Sequence, residues 1–186
     1  MYFYFDFRDK EKQNVRNLLT SLLIQLSAFS DSCCEIINRV YLAHGNGLRQ
    51  PTNDVLTKCL KEMLTAVAER RIYLVMDALD ECPLECPDHS MLTTAREEVL
   101  VTLKDLVELY LPNLYFCVTS RPEVDIKSIL KQLPIRAISL HDESEQRKGI
   151  ADYVSTFVNS DLKMREWADE DKNLVIKVLS EKADGM

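Results

Sequence analysis

Two stretches of the sequence hold residue types and spacings that can do chemistry. The first is Ile72-Tyr-Leu-Val-Met-Asp77-Ala78-Leu79-Asp80-Glu81, a hydrophobic run that ends in three carboxylates. Read as a strand, it delivers Asp77 to the rim of a sheet. There a carboxylate can hold a hydrated Mg²⁺ through water, because Mg²⁺ prefers one or two carboxylates plus phosphate oxygens. A glutamate four residues on can orient, or take a proton from, a water that attacks a γ-phosphate. This makes Glu81, with its neighbour Asp80, the candidate catalytic pair. The second stretch is Leu114-Tyr-Phe-Cys-Val-Thr119-Ser120-Arg121-Pro122-Glu123, again an apolar run ending in polar groups. Arg121 there can reach a γ-phosphate and distinguish triphosphate from diphosphate, with Thr119 and Ser120 beside it as further binding candidates. Pro122 ends the strand and fixes the turn.

These residues need a parallel sheet behind them, since open α/β sheets keep their ligands at the C-terminal ends of strands. The sequence supplies the pattern: apolar strand-like runs alternate with longer segments of helical period, which means α/β. Strands are expected at Tyr2 to Phe7, Ile72 to Met76, Leu114 to Thr119 and Arg136 to Leu140. The first three are nearly continuous hydrophobic runs, as for parallel strands covered on both faces. Three stripes predict amphipathic helices: Leu18, Leu19, Leu22, Leu23 and Leu26; Leu56, Leu60, Met63, Leu64 and Val67; and Val99, Leu103, Leu106, Val107 and Tyr110. Turn signals fall at Gly45-Asn-Gly47 with Pro51, at Pro83 to Pro87 and at Pro112-Asn113. From Asp142 the texture changes to two polar helical segments, Asp142 to Asn159 and Asp169 to Ala183. The expected division is a core over 1–141 and the beginning of a helical domain over 142–186. Ile150, Tyr153, Val154 and Phe157 form the apolar stripe of the first segment, and Trp167 is expected to anchor these helices.

Composition narrows the function. The 186 residues include 30 acidic and 23 basic side chains, a formal net charge of −7. That balance argues against nucleic acid or an anionic membrane surface as partner, because both demand clustered Lys and Arg. No apolar stretch approaches the ~20 residues of a membrane span, and the aromatic N-terminus is unlike a secretory signal. The six cysteines are expected as free thiols in a reducing, cytoplasmic setting. Cys82, Cys86 and His89 have part of a metal-site spacing but no fourth ligand nearby, and read as a variable loop. Asp6 and Asp9 flank the first strand, where capping is the simpler role. His141 reads as a loop histidine.

The pair Val75-Met76-Asp77-Ala78-Leu79-Asp80-Glu81 and Val118-Thr119-Ser120-Arg121-Pro122 resembles the NACHT family of signal-transducing P-loop NTPases of the STAND class. The opening Tyr2-Phe3-Tyr4-Phe5-Asp6-Phe7-Arg8-Asp9 with Asn14 to Leu19 is similar to the second strand and helix of the fungal NACHT and ankyrin-repeat, nephrocystin-like type. The likeness extends over nearly the whole chain. It implies that Asp77 is the Walker B acid and Ala78 the small residue kept beside it. It also makes Asp80 and Glu81 an extra acidic pair and Arg121 the sensor-1 arginine. The implied cofactors are ATP or GTP with Mg²⁺, used with slow hydrolysis as a switch for oligomerisation in innate-immunity-like signalling. The implied partners are the nucleotide, further copies, and effector or ankyrin-repeat domains of the same protein.

One departure qualifies the match. The family's Gly-x-x-x-x-Gly-Lys-Ser/Thr phosphate loop is missing: the four glycines are Gly45, Gly47, Gly149 and Gly185, and none precedes Lys-Ser or Lys-Thr. The expectation is a partial P-loop sheet whose first strand, loop and helix lie upstream or were lost. The missing strand would sit between those at Leu114 to Thr119 and Arg136 to Leu140. By itself such a chain is expected to be inactive on nucleotide and, with a gap in its sheet, marginal as an isolated domain. Two other classes stay open: a degenerate NACHT-shaped interaction scaffold without nucleotide, and another P-loop machine such as a helicase, against which the acidic charge counts.

Overall fold

The computed structural model describes residues 1–84, 93–139, 144–161, 163, 164 and 166–182. Among them the architecture is mixed α/β, with one small parallel sheet and seven α-helices. In chain order the elements are β1 (Tyr2–Tyr4), α1 (Val15–Ser27), α2 (Asp31–Ala43), α3 (Asn53–Ala66), β2 (Ile72–Asp77), α4 (Ala95–Val107), β3 (Leu114–Val118), α5 (Val124–Leu130), α6 (Ser144–Ser160) and α7 (Asp169–Lys182). Met1–Ile135 and Arg136–Met186 are two compact units. The second contains α6 and α7, and Trp167 remains 42% exposed.

The starts of α1, α3 and α4 are fixed by side-chain caps. Asn14 Oδ1 accepts the Asn17 N–H at 2.9 Å at the start of α1, and Thr52 accepts from Val55 at the start of α3. Thr94 opens α4 with a capping box: its hydroxyl accepts the Glu97 N–H while the Glu97 carboxylate accepts the Thr94 N–H, so two orphan donors are satisfied together. Each of these helices then buries one stripe. Leu18, Leu19 and Leu22 of α1, Leu60, Met63 and Leu64 of α3, and Leu100, Leu103 and Leu106 of α4 are fully buried in one cluster with Leu74 and Met76 of β2. Each such side chain contributes about 1.5–3 kcal/mol by leaving water.

The sheet order is β1-β2-β3, all parallel. Its register sorts the side chains cleanly, because successive residues point to opposite faces. The row Phe3, Met76, Val118 and the rows Leu74, Phe116 and Ile72, Leu114 belong to the packed face. The rows Tyr4, Asp77, then Tyr2, Val75, Cys117, then Tyr73, Tyr115 belong to the other, which is largely exposed. Tyr73 is 56% and Tyr115 45% exposed, and their rings stack 5.2 Å apart. The expectation of two covered faces is therefore corrected: continuous apolar runs hid an alternation, because tyrosine and cysteine count as apolar in composition. The physical reason lies in the connections. Going from β1 to β2 to β3 steps across the sheet in a single direction, and right-handed crossovers place all such helices on the same side.

Other expectations change in detail. β1 is shorter than Tyr2 to Phe7, although the Phe5 N–H continues the ladder to the Asp77 carbonyl at 3.0 Å. Phe5 stays buried edge-on against Phe3, but the chain then turns and leaves Phe7 68% exposed. The stripe assigned to the third helix overran its end: α4 stops at Val107, and Tyr110 sits at φ 50°, exposed. α2 and α5 were not anticipated. Arg136 to Ser139 form no strand and lie exposed, while Leu140 falls outside the described residues. A lone strand gains no ladder bonds, so without an adjacent partner its backbone stays with water.

Candidate functional site

The turn after β2 begins with Ala78 in the left-handed region, φ 55° and ψ 47°, followed by a 3-10 turn over Leu79–Glu81. Leu79 is fully buried, and its N–H donates to the Thr119 carbonyl at 3.0 Å. The reversal at Ala78 thus sends Leu79 into the core and keeps the acids on either side of it at the rim. Asp77 ends β2 on the exposed face, paired in register with Tyr4.

Thr119 joins the two chemical stretches. Its hydroxyl donates to Asp77 Oδ1 at 2.5 Å and accepts the Ala78 N–H at 3.0 Å, while its own N–H donates to the Met76 carbonyl at 2.9 Å. One threonine therefore fixes both the direction of the Asp77 carboxylate and the strained peptide behind it. The next turn is held by Asp80: its Oδ1 accepts the Arg121 N–H at 2.9 Å and its Oδ2 lies 3.5 Å from Arg121 Nε. The Asp80 carboxyl is mostly shielded, at 11% exposure, whereas the Arg121 side chain is 81% exposed. Ser120 donates its hydroxyl to the Arg121 carbonyl at 2.8 Å, a local turn contact. Glu81 Oε2 accepts the Phe7 N–H at 3.1 Å, which ties the acidic turn to the segment after β1. Asp77, Asp80, Glu81, Thr119, Ser120 and Arg121 are thus all carried at the same end of the sheet, on loops joined by direct hydrogen bonds.

Asp6 and Asp9 lie in that segment after β1. Arg8 donates its backbone N–H and Nε to Asp6 Oδ1 and a further nitrogen to Oδ2, and these hydrogen bonds hold the Asp6 carboxyl down at about 2. Asp9 caps the 3-10 turn Lys10–Lys12 by accepting the Glu11 N–H at 3.0 Å. Cys82 is buried, its thiol donates to the Gln13 carbonyl at 3.3 Å, and desolvation pushes it up to about 12. Cys86, His89 and His141 lie outside the described residues. Among the described residues no three or more His, Cys, Asp or Glu side chains gather as a metal-holding group. An open polar cleft of about 350 Å³ beside the α1–α2 turn is lined by Ser27, Phe29, Ser30, Asp31 and Arg70, none of which belongs to the strand-end loops.

Arg96, the second residue of α4, was not singled out from the sequence. It is 6% exposed, and its guanidinium serves three groups: Nε donates to the Cys82 carbonyl at 2.7 Å, one terminal nitrogen to the Asp80 carbonyl at 2.5 Å, and the other pairs with Asp125 Oδ2 at 3.3 Å. A signal was present in the sequence. A cation in the first turn of a helix opposes the macrodipole, so an arginine two residues after an N-cap threonine breaks a local rule and asks for a reason.

No helix among the described residues is long and apolar enough to cross a membrane. Comparison with curated proteins and with solved structures gives no match for the chain. Residues 1–121, which span the whole sheet and end at the arginine of the second loop, match the family described as Nephrocystin 3, N-terminal, and the chain belongs to that family.

Proposed function

We propose that this chain is part of a NACHT-type P-loop nucleotide switch, with ATP or GTP and Mg²⁺ bound at the C-terminal ends of β2 and β3 in the intact protein. The observation that carries this reading is the Thr119 bridge, which sets the Asp77 carboxylate beside the loop bearing Arg121 although Thr119 lies 42 positions after Asp77. Membership of the nephrocystin family is consistent with it. The donor set suits a metal held mainly by phosphates: a single exposed, oriented carboxylate at Asp77 matches the one or two that Mg²⁺ takes. Bound there through water, Mg²⁺ supplies charge neutralisation on the phosphate oxygens. Asp77 would hold it, Thr119 orients Asp77, and Glu81, steadied by the Phe7 N–H, is directed to position water. Arg121 is exposed and only loosely paired with Asp80, so its guanidinium is available to a γ-phosphate. The backbone cradle for the phosphates has no counterpart among the four glycines, and in this reading an upstream segment provides it. The switch would control self-association and the action of attached effector or repeat domains.

A second reading, an interaction scaffold without nucleotide, is favoured by the exposed tyrosine face. Binding of fluorescent ATP and GTP analogues with Mg²⁺ separates the two, measured on the 186-residue chain and on a version extended upstream. The switch reading expects binding by the extended version alone, weakened about 100-fold or more by Asp77→Ala if that carboxylate carries the metal. No binding by either would leave the scaffold.

A further inference from the structure

We propose that Arg96 is a positioning residue that locks the acidic loop after β2 to the turn bearing Arg121, so that both loops answer one ligand as a unit. The proposal rests on the nucleotide reading for the identity of that ligand only. The loop-to-turn coupling stands on its own geometry.

Two separate ties connect the same pair of segments. The first runs through side chains at the rim, where the Asp80 carboxylate takes the Arg121 N–H at 2.9 Å and lies 3.5 Å from its Nε. The second runs through the interior, where Arg96 holds the Asp80 and Cys82 carbonyls and, on the far side, Asp125 at the start of α5. Residues 80–82 and 121–125 are therefore tied twice, at the rim by the Asp80 carboxylate and in the interior by Arg96. The Arg96 backbone N–H also donates to the Pro83 carbonyl at 3.3 Å, which seats the start of α4 against the same loop.

The chemistry requires an arginine. The planar fork presents donors in several fixed directions at once, whereas a lysine ammonium is a point charge that cannot span two carbonyls and a carboxylate so placed. Burying a guanidinium in the first turn of a helix is unfavourable both for desolvation and for the helix dipole, and these three acceptors offset that cost. Arg96 acts on Glu81 and Arg121 through the segments that carry them, and its contact with the candidate catalytic pair is to the Asp80 backbone carbonyl, not to a carboxylate.

Hydrogen exchange on the full protein tests this, with Arg96→Lys, Asp125→Asn and, as a control, Lys104→Ala, which removes a partly exposed cation from the far end of α4 and leaves the guanidinium in place. The expected result for Arg96→Lys is about 10-fold or faster exchange at both 79–82 and 121–125, with the β1–β2 ladder unchanged, because only the fork is lost. Asp125→Asn is expected to loosen 121–125 by a smaller factor, and Lys104→Ala to leave that segment as in the wild type. Binding of a fluorescent Mg–ATP analogue by the full-length protein should weaken about 10-fold in Arg96→Lys, a loss of one charge-assisted contact's worth of orientation. If the loops loosen as stated while the wild type itself binds no nucleotide, the nucleotide reading fails and the positioning role stands. A folded Arg96→Lys with unchanged loop exchange, or with a uniform rise across the whole sheet, would overturn the proposal. Should Arg96→Lys not fold, unchanged exchange at 121–125 in Asp125→Asn would overturn it equally.

Discussion

Ala78 concentrates the local cost of the site in one residue. Its φ of 55° places a Cβ where left-handed backbone costs about 1–2 kcal/mol, and the Thr119 hydroxyl repays part of that through the Ala78 N–H. Ala78→Gly is therefore expected to leave stability unchanged or raise it by up to about 1 kcal/mol, and Ala78→Val to lower it by about 1–3 kcal/mol. Urea unfolding of the two variants checks the difference in sign. The buried thiols give a pH dependence of definite direction. Desolvation raises Cys59 to about 11 and Cys82 to about 12, so both stay protonated in the fold after the unfolded chain has begun to ionise at 9.0. Their contribution is complete below pH 9 and is lost as pH rises toward those values, with a slope on the order of 1.4 kcal/mol per pH unit for each thiol. Denaturation midpoints at pH 8.5, 9.5 and 10.5 should fall more steeply for the wild type than for Cys59→Ala combined with Cys82→Ala.

At the scale of elements, α4 does two tasks that its sequence advertises unequally. Its apolar stripe of Val99, Leu103 and Leu106 was legible from spacing alone, whereas the Thr94 and Glu97 capping box emerged with the structure. Thr94→Ala is expected to cost about 1 kcal/mol, seen as a lower melting temperature with no change in cooperativity. The role of Arg96 was not legible in the same way, because its partners at Asp80, Cys82 and Asp125 lie in two other segments. The strand ends behaved similarly. That β2 and β3 finish in polar clusters follows from their residues, but that Thr119 meets the Asp77 carboxylate follows from the parallel register of the two strands.

For the molecule as a whole, the first compact unit presents a three-stranded parallel sheet with one face packed and the other bearing Tyr2, Tyr4, Tyr73, Tyr115 and Cys117. Parallel sheets are normally covered on both faces, and β3 is an edge of this sheet. The expected consequence is concentration-dependent association of the 186-residue chain, which sedimentation velocity would register as a shift to larger species over tens of micromolar. Tyr115→Lys together with Cys117→Lys should suppress it by putting charge on that face and edge. A wild-type chain that stays monomeric across the range, with cooperative unfolding, would count against this reading.

What the sequence determined by itself was local: the apolar stripes of α1, α3 and α4, that β2 and β3 are strands, and that their ends carry Asp77, Asp80, Glu81 and Arg121. Those properties come from residue types and spacing within one segment, so no distant partner is needed to read them. The tertiary structure decided the rest. It dissolved the strand expected at Arg136 to Leu140 over its described residues, exposed a face that composition had scored as apolar, and joined Thr119 to Asp77 and Arg96 to two loops. Each of these depends on which backbone lies beside which, a choice made by crossover handedness and strand register and invisible in any single run of residues.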